Sequence, residues 1–221
     1  MVWLTSFRLT ILNENLIKVV SLNCAGLKPH FADIQADEHL LKADVIHLVE
    51  TSLNENETTE FSIPGYSSHA INAGNGKGIL TFYRTAVVEH QRDLKETNLQ
   101  ITKFSSSTLD VVNTYRSANG HSVELLSNLI NMTSEEKAVL ITGDFNICYQ
   151  ENKTNRLIQG LENHGFRQLV QEATHIRGRH IDQAYWKDPS NTWSEPDVDR
   201  YSPYYSDHDA IGLTFTKKCK N

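Results

Sequence analysis

Residues 138–146 read Ala-Val-Leu-Ile-Thr-Gly-Asp-Phe-Asn, an apolar run that stops at a polar cluster, Asp144 and Asn146. A short apolar run rich in branched side chains and closed by turn residues is the signature of a strand buried on both faces. The same pattern recurs outward along the chain. Asn23 follows the run at 19–22, Glu50 follows the run at 45–49, and Asp207-His208 precede the run at 210–213. Taken singly, each polar residue has an ordinary explanation as a cap or turn residue. Taken together, carboxylates, amides and a histidine at strand ends suit a hard divalent cation with a phosphate beside it. Strand ends present side chains from a rigid base, and oxygen donors leave Mg²⁺ its waters.

Between these points the periodicity predicts strands over 18–22 and 45–49, a short helix over 36–42, and a polar loop over 51–60. Residues 66–71 and 79–83 are predicted to form a hairpin around Gly-Asn-Gly-Lys-Gly at 74–78, which lacks the spacing of a phosphate-binding P-loop. Further strands are expected over 99–104, 109–115, 181–186 and 210–216. Helices are expected over 122–130, with Val123, Leu126, Leu129 and Ile130 on one side, and over 155–164, stopped at Gly165. The sum is an α/β layered domain. The expected organisation is an N-terminal lead over 1–15, one domain over 16–216 and a basic tail over 217–221.

A chain of 221 residues with 39% hydrophobic content supports one core. No apolar stretch reaches bilayer length, and Arg8 interrupts the segment where a signal peptide would be apolar. The expectation is a soluble protein of the nucleus or cytoplasm without membrane contact. Cys24, Cys148 and Cys219 make an odd count without Cys-x-x-Cys spacing, which argues against a disulfide framework or a zinc site built on cysteine. A net charge of −6 argues against a strong sequence-independent grip on nucleic acid.

The segments Ser21-Leu22-Asn23, Leu48-Val49-Glu50-Thr51, Thr142-Gly143-Asp144-Phe145-Asn146 and Ser206-Asp207-His208, in this order, resemble the DNase I-like endonuclease/exonuclease/phosphatase superfamily. The resemblance implies a four-layer α-β-β-α sandwich with two packed mixed β-sheets, and metal-dependent hydrolysis of phosphate esters. It implies that Glu50 ligates Mg²⁺, or Mn²⁺ in its place, with Asn23 and Asp207 near the metal directly or through water. Asp144 would orient and deprotonate the attacking water, Asn146 would hold that water or the phosphate, and His208 would bond a non-bridging phosphate oxygen. Asp182 would orient the histidine. Tyr115 is a candidate phosphate or leaving-group contact, or else a tyrosine packed on the core. Arg116 beside it would reach a substrate phosphate or be solvated.

The stretch Thr174-His175-Ile176-Arg177-Gly178-Arg179-His180-Ile181-Asp182 is similar to the endonuclease domains of retrotransposons and helicase-bearing transposons. On that likeness His175, Arg177 and Arg179 line a nucleic-acid groove; otherwise they form a polar surface loop. The expected function is a Mg²⁺-dependent DNA endonuclease of mobile-element or repair type. The expected partners are nucleic acid and, in a longer parent protein, a helicase or reverse transcriptase. The alternatives are a phosphoesterase acting on RNA, a protein–DNA adduct or a small phosphate ester, and a decayed binding module. Asn23, Glu50, Asp144, Asn146, Asp182, Asp207 and His208 are all present, which weighs against decay.

Overall fold

Continuous apolar runs need apolar cover on both faces, and the chain supplies it by stacking two sheets and coating their outer sides with helices. The computed structural model describes residues 15–219 apart from 55, 58, 59, 74 and 75. The expected lead falls on residues outside this range except for Asn15, and two residues of the expected glycine turn lie outside it as well. The chain runs β1 (Leu16–Asn23), α1 (Leu27–Ala36), α2 (Glu38–Leu41), β2 (Val45–Val49), β3 (Ser67–Ile71), β4 (Ile79–Tyr83), β5 (Glu89–Lys95) and β6 (Leu99–Ser105). It continues through β7 (Leu109–Arg116), α3 (Ser122–Met132), β8 (Ala138–Asp144), α4 (Arg156–Asn163), β9 (Arg167–Gln168), β10 (Asp182–Lys187), β11 (Asp197–Tyr201) and β12 (Ala210–Thr216).

The strands form two mixed six-stranded sheets, ordered β11-β12-β1-β2-β4-β3 and β5-β6-β7-β8-β10-β9. Alternate residues of one strand serve different layers. Val19 and Leu140 join Phe104, Val111, Trp186 and Phe215 between the sheets. Their neighbours Val20 and Ile141 face outward, onto Leu27 and Ile34 of α1 in the first case and onto Leu129 and Leu161 of α3 and α4 in the second. Each sheet has one parallel pair, β1 with β2 and β7 with β8, and the remaining pairs are antiparallel. The strand orders therefore match in pairs, with β1 corresponding to β8, β2 to β7 and β12 to β10.

Three departures from the sequence expectation have physical causes. The short helix expected over 36–42 is present as α2, and an unexpected helix, α1, precedes it from Leu27, because Leu27, Phe31 and Ile34 make an i, i+4, i+7 stripe and Pro29 falls in the first turn, where it costs no hydrogen bond. Asp37 then adopts an extended backbone and its carboxylate accepts from the N–H groups of His39 and Leu40, so it ends α1 and caps α2. The strands β5 and β11, Glu-His-Gln-Arg-Asp-Leu-Lys and Asp-Val-Asp-Arg-Tyr, carry no clean apolar alternation. They form because β6 and β12 offer open hydrogen-bonding edges, and their charges suit edge strands. Beyond β12, Lys217 bridges to Trp193 and donates its N–H to the Asn15 carbonyl at 2.7 Å.

Candidate active site

The parallel strands of both sheets end at the same side of the sandwich, and their terminal residues meet across the sheet interface. Asn23 closes β1 and donates from Nδ2 to Asp144 Oδ2 at 3.0 Å, at the end of β8. His208 lies two residues before β12, and its Nδ1 contacts Oδ2 of Asp182, the first residue of β10, at 2.8 Å. Tyr115, near the end of β7, lies beside Glu50, the residue after β2, and its hydroxyl donates to the Gly76 carbonyl at 3.4 Å. Three cross-sheet pairs thus hold the ends together.

The backbone bends sharply to present them. Ala25, Glu50, Ser52 and Asn146 have φ of 48°, 55°, 57° and 49°, a concentration of left-handed conformations at the strand ends. Such strain persists only where the surroundings over-determine it. At Gly143 φ is 139°, and an added Cβ would sit 1.9 Å from the Thr114 carbonyl oxygen. The Gly-Asp-Phe-Asn segment therefore needs glycine at its head to let β7 and β8 approach. Asp144 Oδ1 then accepts from the Asn146 N–H at 2.8 Å, while Asn146 Nδ2 donates to Asp144 Oδ2 at 3.2 Å and to the Arg116 carbonyl at 2.9 Å.

The other singled-out residues fall into two groups. Arg116 is buried, and its guanidinium donates to the carbonyls of Phe145, Asn146 and Ala118 at 3.0, 3.3 and 3.4 Å. It braces the loop that carries Asn146. His175 Nε2 lies 3.3 Å from Asp207 Oδ2, and its ring meets His208 edge-on with centroids 4.7 Å apart. Arg177 and Arg179 stand exposed in the turn that follows. Tyr115 is buried, its ring packed with Val49, Ile71 and Ile79.

Sequence reading assigned no role to two hydroxyls that fix this geometry. Thr174 Oγ1 donates to Asp182 Oδ2 at 2.7 Å and accepts from the Asp182 N–H at 3.1 Å, clamping the carboxylate. Ser206 Oγ donates to the Asn23 carbonyl at 2.6 Å and accepts from the His208 N–H at 3.0 Å, tying the histidine loop to β1. Ser206 stood inside a quoted motif. Thr174 opens, and its partner Asp182 closes, another quoted stretch, in which the hydroxyl was given no part. Beneath the site the interface between the sheets turns polar. His47 Nδ1 contacts Thr81 Oγ1 at 2.9 Å, and Asn113 and Thr142 are fully buried and opposite each other on β7 and β8.

The model of the Endonuclease/Exonuclease/phosphatase family matches residues 20–208. The chain belongs to this family. Solved structures with the same fold include truncated TDP2 from Caenorhabditis elegans, 16% identical, covering 91% of this chain and 97% of that one with a TM-score of 0.65. The endonuclease domain of TRAS1, a telomere-specific non-LTR retrotransposon, is 12% identical over 91% of this chain and 98% of its own, with a TM-score of 0.65. The mannosyl-6-phosphatase Bt3783 of Bacteroides thetaiotaomicron is 13% identical over 90% and 99%, also at 0.65. At these identities the likeness establishes the fold. No curated protein matches the sequence significantly.

Family members are hydrolytic phosphoesterases that typically depend on a divalent metal, and the electrostatics of this member fit one. Burial raises the Asp144 carboxyl well above its ordinary range, and the negative charges of Asp182 and Glu50 push the same way, against His208 and the Asn146 N–H. A carboxyl raised in part by its neighbours' negative charge marks surplus negative charge that a cation relieves. The donors are hard oxygens: Glu50 is half-buried, Asp207 is exposed, and the Asn23 Oδ1 that accepts from the Ala25 N–H at 3.0 Å keeps a second lone pair. Burial alone would pull the His208 imidazole down. The hydrogen bond and charge of Asp182, with the charges of Asp144 and Asp207, outweigh it and lift His208 to about 9. The imidazole is therefore cationic at neutral pH, with Nδ1 held by Asp182. Burial pulls His47 below the site down to about 3, so that ring is neutral. Burial, then the charge and hydrogen bonding of Glu50, raises the Tyr115 phenol, which keeps its proton.

Proposed function

We propose that this chain is a Mg²⁺-dependent phosphodiesterase that cleaves nucleic acid, DNA foremost, as an endonuclease of mobile-element or repair type. The observation that carries the reading is the pairing of two differently charged groups 2.8 Å apart across the sheets, cationic His208 on Asp182, beside a buried and proton-hungry Asp144. Glu50 and Asp207, with Asn23 beside them, would hold a divalent ion, which when bound would supply positive charge against the charge that builds on the phosphoryl oxygens. Asp144 accepts the proton of the water that attacks in line with the leaving oxygen; burial, with the charges of Asp182 and Glu50 beside it, raises its affinity for that proton. Asn146 fixes that carboxylate through two hydrogen bonds. His208 donates from Nε2 to a non-bridging oxygen, where a fixed cationic donor gains most as charge develops. Tyr115 supplies a neutral hydroxyl at the edge of the phosphate, and His175, Arg177 and Arg179 follow the strand beyond it.

Purified protein incubated with supercoiled plasmid and with a labelled single strand tests this, in Mg²⁺, in EDTA and as Asp144→Ala. Nicking that requires the metal and vanishes in the variant is the expected result. A second reading, hydrolysis of a small phosphate ester, is favoured by the inward-turned Arg116 and the net charge of −6, both poor for gripping a polyanion. Intact plasmid and strand together with phosphate release from a monoester would replace the nuclease by that reading.

A further inference from the structure

At the opposite flank of the sandwich, β3 and β5 form the free edges of the two sheets, and three metal-ligating side chains meet between them. His69 Nε2 lies 2.7 Å from Asp93 Oδ2, and His90 Nε2 lies 3.0 Å from Asp93 Oδ1. The two imidazoles stack with centroids 3.6 Å apart, and their ligand atoms and the carboxylate lie within 4.8 Å of one another. The strand geometry is what permits this. Side chains three apart on a regular strand point to opposite faces. A bulge between His90 and Arg92 resets the alternation, so that His90 faces with Phe104 and Asp93 with Thr102, two partners on the same side of β6. Bulges re-aim side chains in this way. Phe104 is fully buried and lies under both rings, with centroids 6.3 Å from His69 and 5.5 Å from His90, which fixes their planes.

We propose that His69, His90 and Asp93 bind a borderline-soft divalent transition metal, Zn²⁺ foremost, with water as the fourth ligand, and that the ion staples the two sheet edges together. Two imidazoles and a carboxylate are a common Zn²⁺ donor set, with bonds of about 2.0–2.2 Å. Tetrahedral ligands at that length stand about 3.3 Å apart, close to the separations in place, so a small opening of the trio admits the ion. The site is independent of the phosphoesterase centre, where His208 joins one such group with His175 and Asp207 and another with Asp144 and Asp182, each with ligand atoms within 4.8 Å of one another.

The test is Zn²⁺ titration of chelator-stripped full-length protein against a chromophoric competitor. The His208→Asn background thins both other groups, and His69→Ala, His90→Ala and Asp93→Asn are compared within it. One Zn²⁺ per chain that is lost in each of the three variants, with X-ray absorption showing two imidazoles in the background protein, is the expected result. Because His90 and Asp93 lie on an edge strand, circular dichroism and a melting curve of each variant separate loss of the ligand from loss of the fold. The proposal is overturned if the background protein binds no Zn²⁺, or if folded His90→Ala and Asp93→Asn keep its full capacity.

Discussion

The two sheets share one plan and divide the chemistry unequally. Each has a central parallel pair whose ends carry polar groups, Asn23 and Glu50 on the first, Tyr115 and Asp144 on the second. Each also has an antiparallel neighbour that begins beside the site, β12 after Asp207-His208 and β10 at Asp182. The carboxylates of the first sheet meet solvent: Glu50 is half-buried and the Asp207 side chain is 50% exposed. Those of the second are buried, Asp144 at 1% and Asp182 at 4% exposure. Solvated oxygens can hold a hydrated cation at little desolvation cost, whereas burial raises the proton affinity of Asp144 and lets Asp182 hold the His208 ring through a direct hydrogen bond. On the proposed roles, a symmetric scaffold places a cation-holding half against a proton-handling half.

If that division holds, damage to the second sheet should cost most. Asp144→Ala is expected to lower turnover by about 10²- to 10⁴-fold, the scale of a lost general base, with circular dichroism unchanged. A variant with near-normal turnover would remove the base from β8. His208→Ala follows at about 10²- to 10³-fold, the scale of one lost donor to a developing oxyanion; this residue borders β12 of the first sheet but is held by Asp182 of the second.

Asp182→Asn tests the pair through pH. The folded pKa of His208, about 9, exceeds its ordinary 6.5. The pair therefore contributes stability that is fully present below about pH 6.5 and is lost as pH rises through about 9, at most roughly 3 kcal/mol. Urea unfolding in EDTA should show that loss in the parent and not in Asp182→Asn; equal pH dependence in both would dissolve the pair.

On the first sheet, Glu50→Gln should act through the metal, raising the half-saturating Mg²⁺ concentration at least about tenfold while turnover at saturation recovers in part. An unchanged Mg²⁺ titration would take Glu50 out of the cation-holding half. The smallest effect is expected at Thr174→Val, which leaves Asp182 one donor short: about 1 kcal/mol of stability, read by denaturant midpoint, and a modest fall in turnover.

Several features were legible in the chain before any fold was known. The buried strands β1, β2, β8 and β12 were visible as apolar runs, because a strand covered on both faces must be apolar throughout. Their polar ends were visible by contrast, and so was the existence of α3 and α4, the latter with its stripe Leu157, Ile158 and Leu161. The stripe expected on α3 was not the buried one: Val123 is 53% exposed, and the helix is rotated so that Leu125, Leu129 and Met132 are buried, with Leu126 and Ile130 at the margin. The edge strands β5 and β11 left no such trace, since one neighbour's hydrogen bonds, not their own composition, make them strands.

The sequence by itself determined an α/β chain with Asn23, Glu50, Asp144 and His208 at strand ends, since apolar periodicity and its interruption are local properties. The tertiary structure alone decided which ends meet. Asn23 reaches Asp144 across 121 residues, Thr174 clamps Asp182, Arg116 turns inward to three carbonyls, and His69 joins His90 and Asp93 between the sheet edges. Those pairings depend on sheet order, register and a bulge, which arise only when two sheets pack, because the free energy that fixes them comes from burying both inner faces at once.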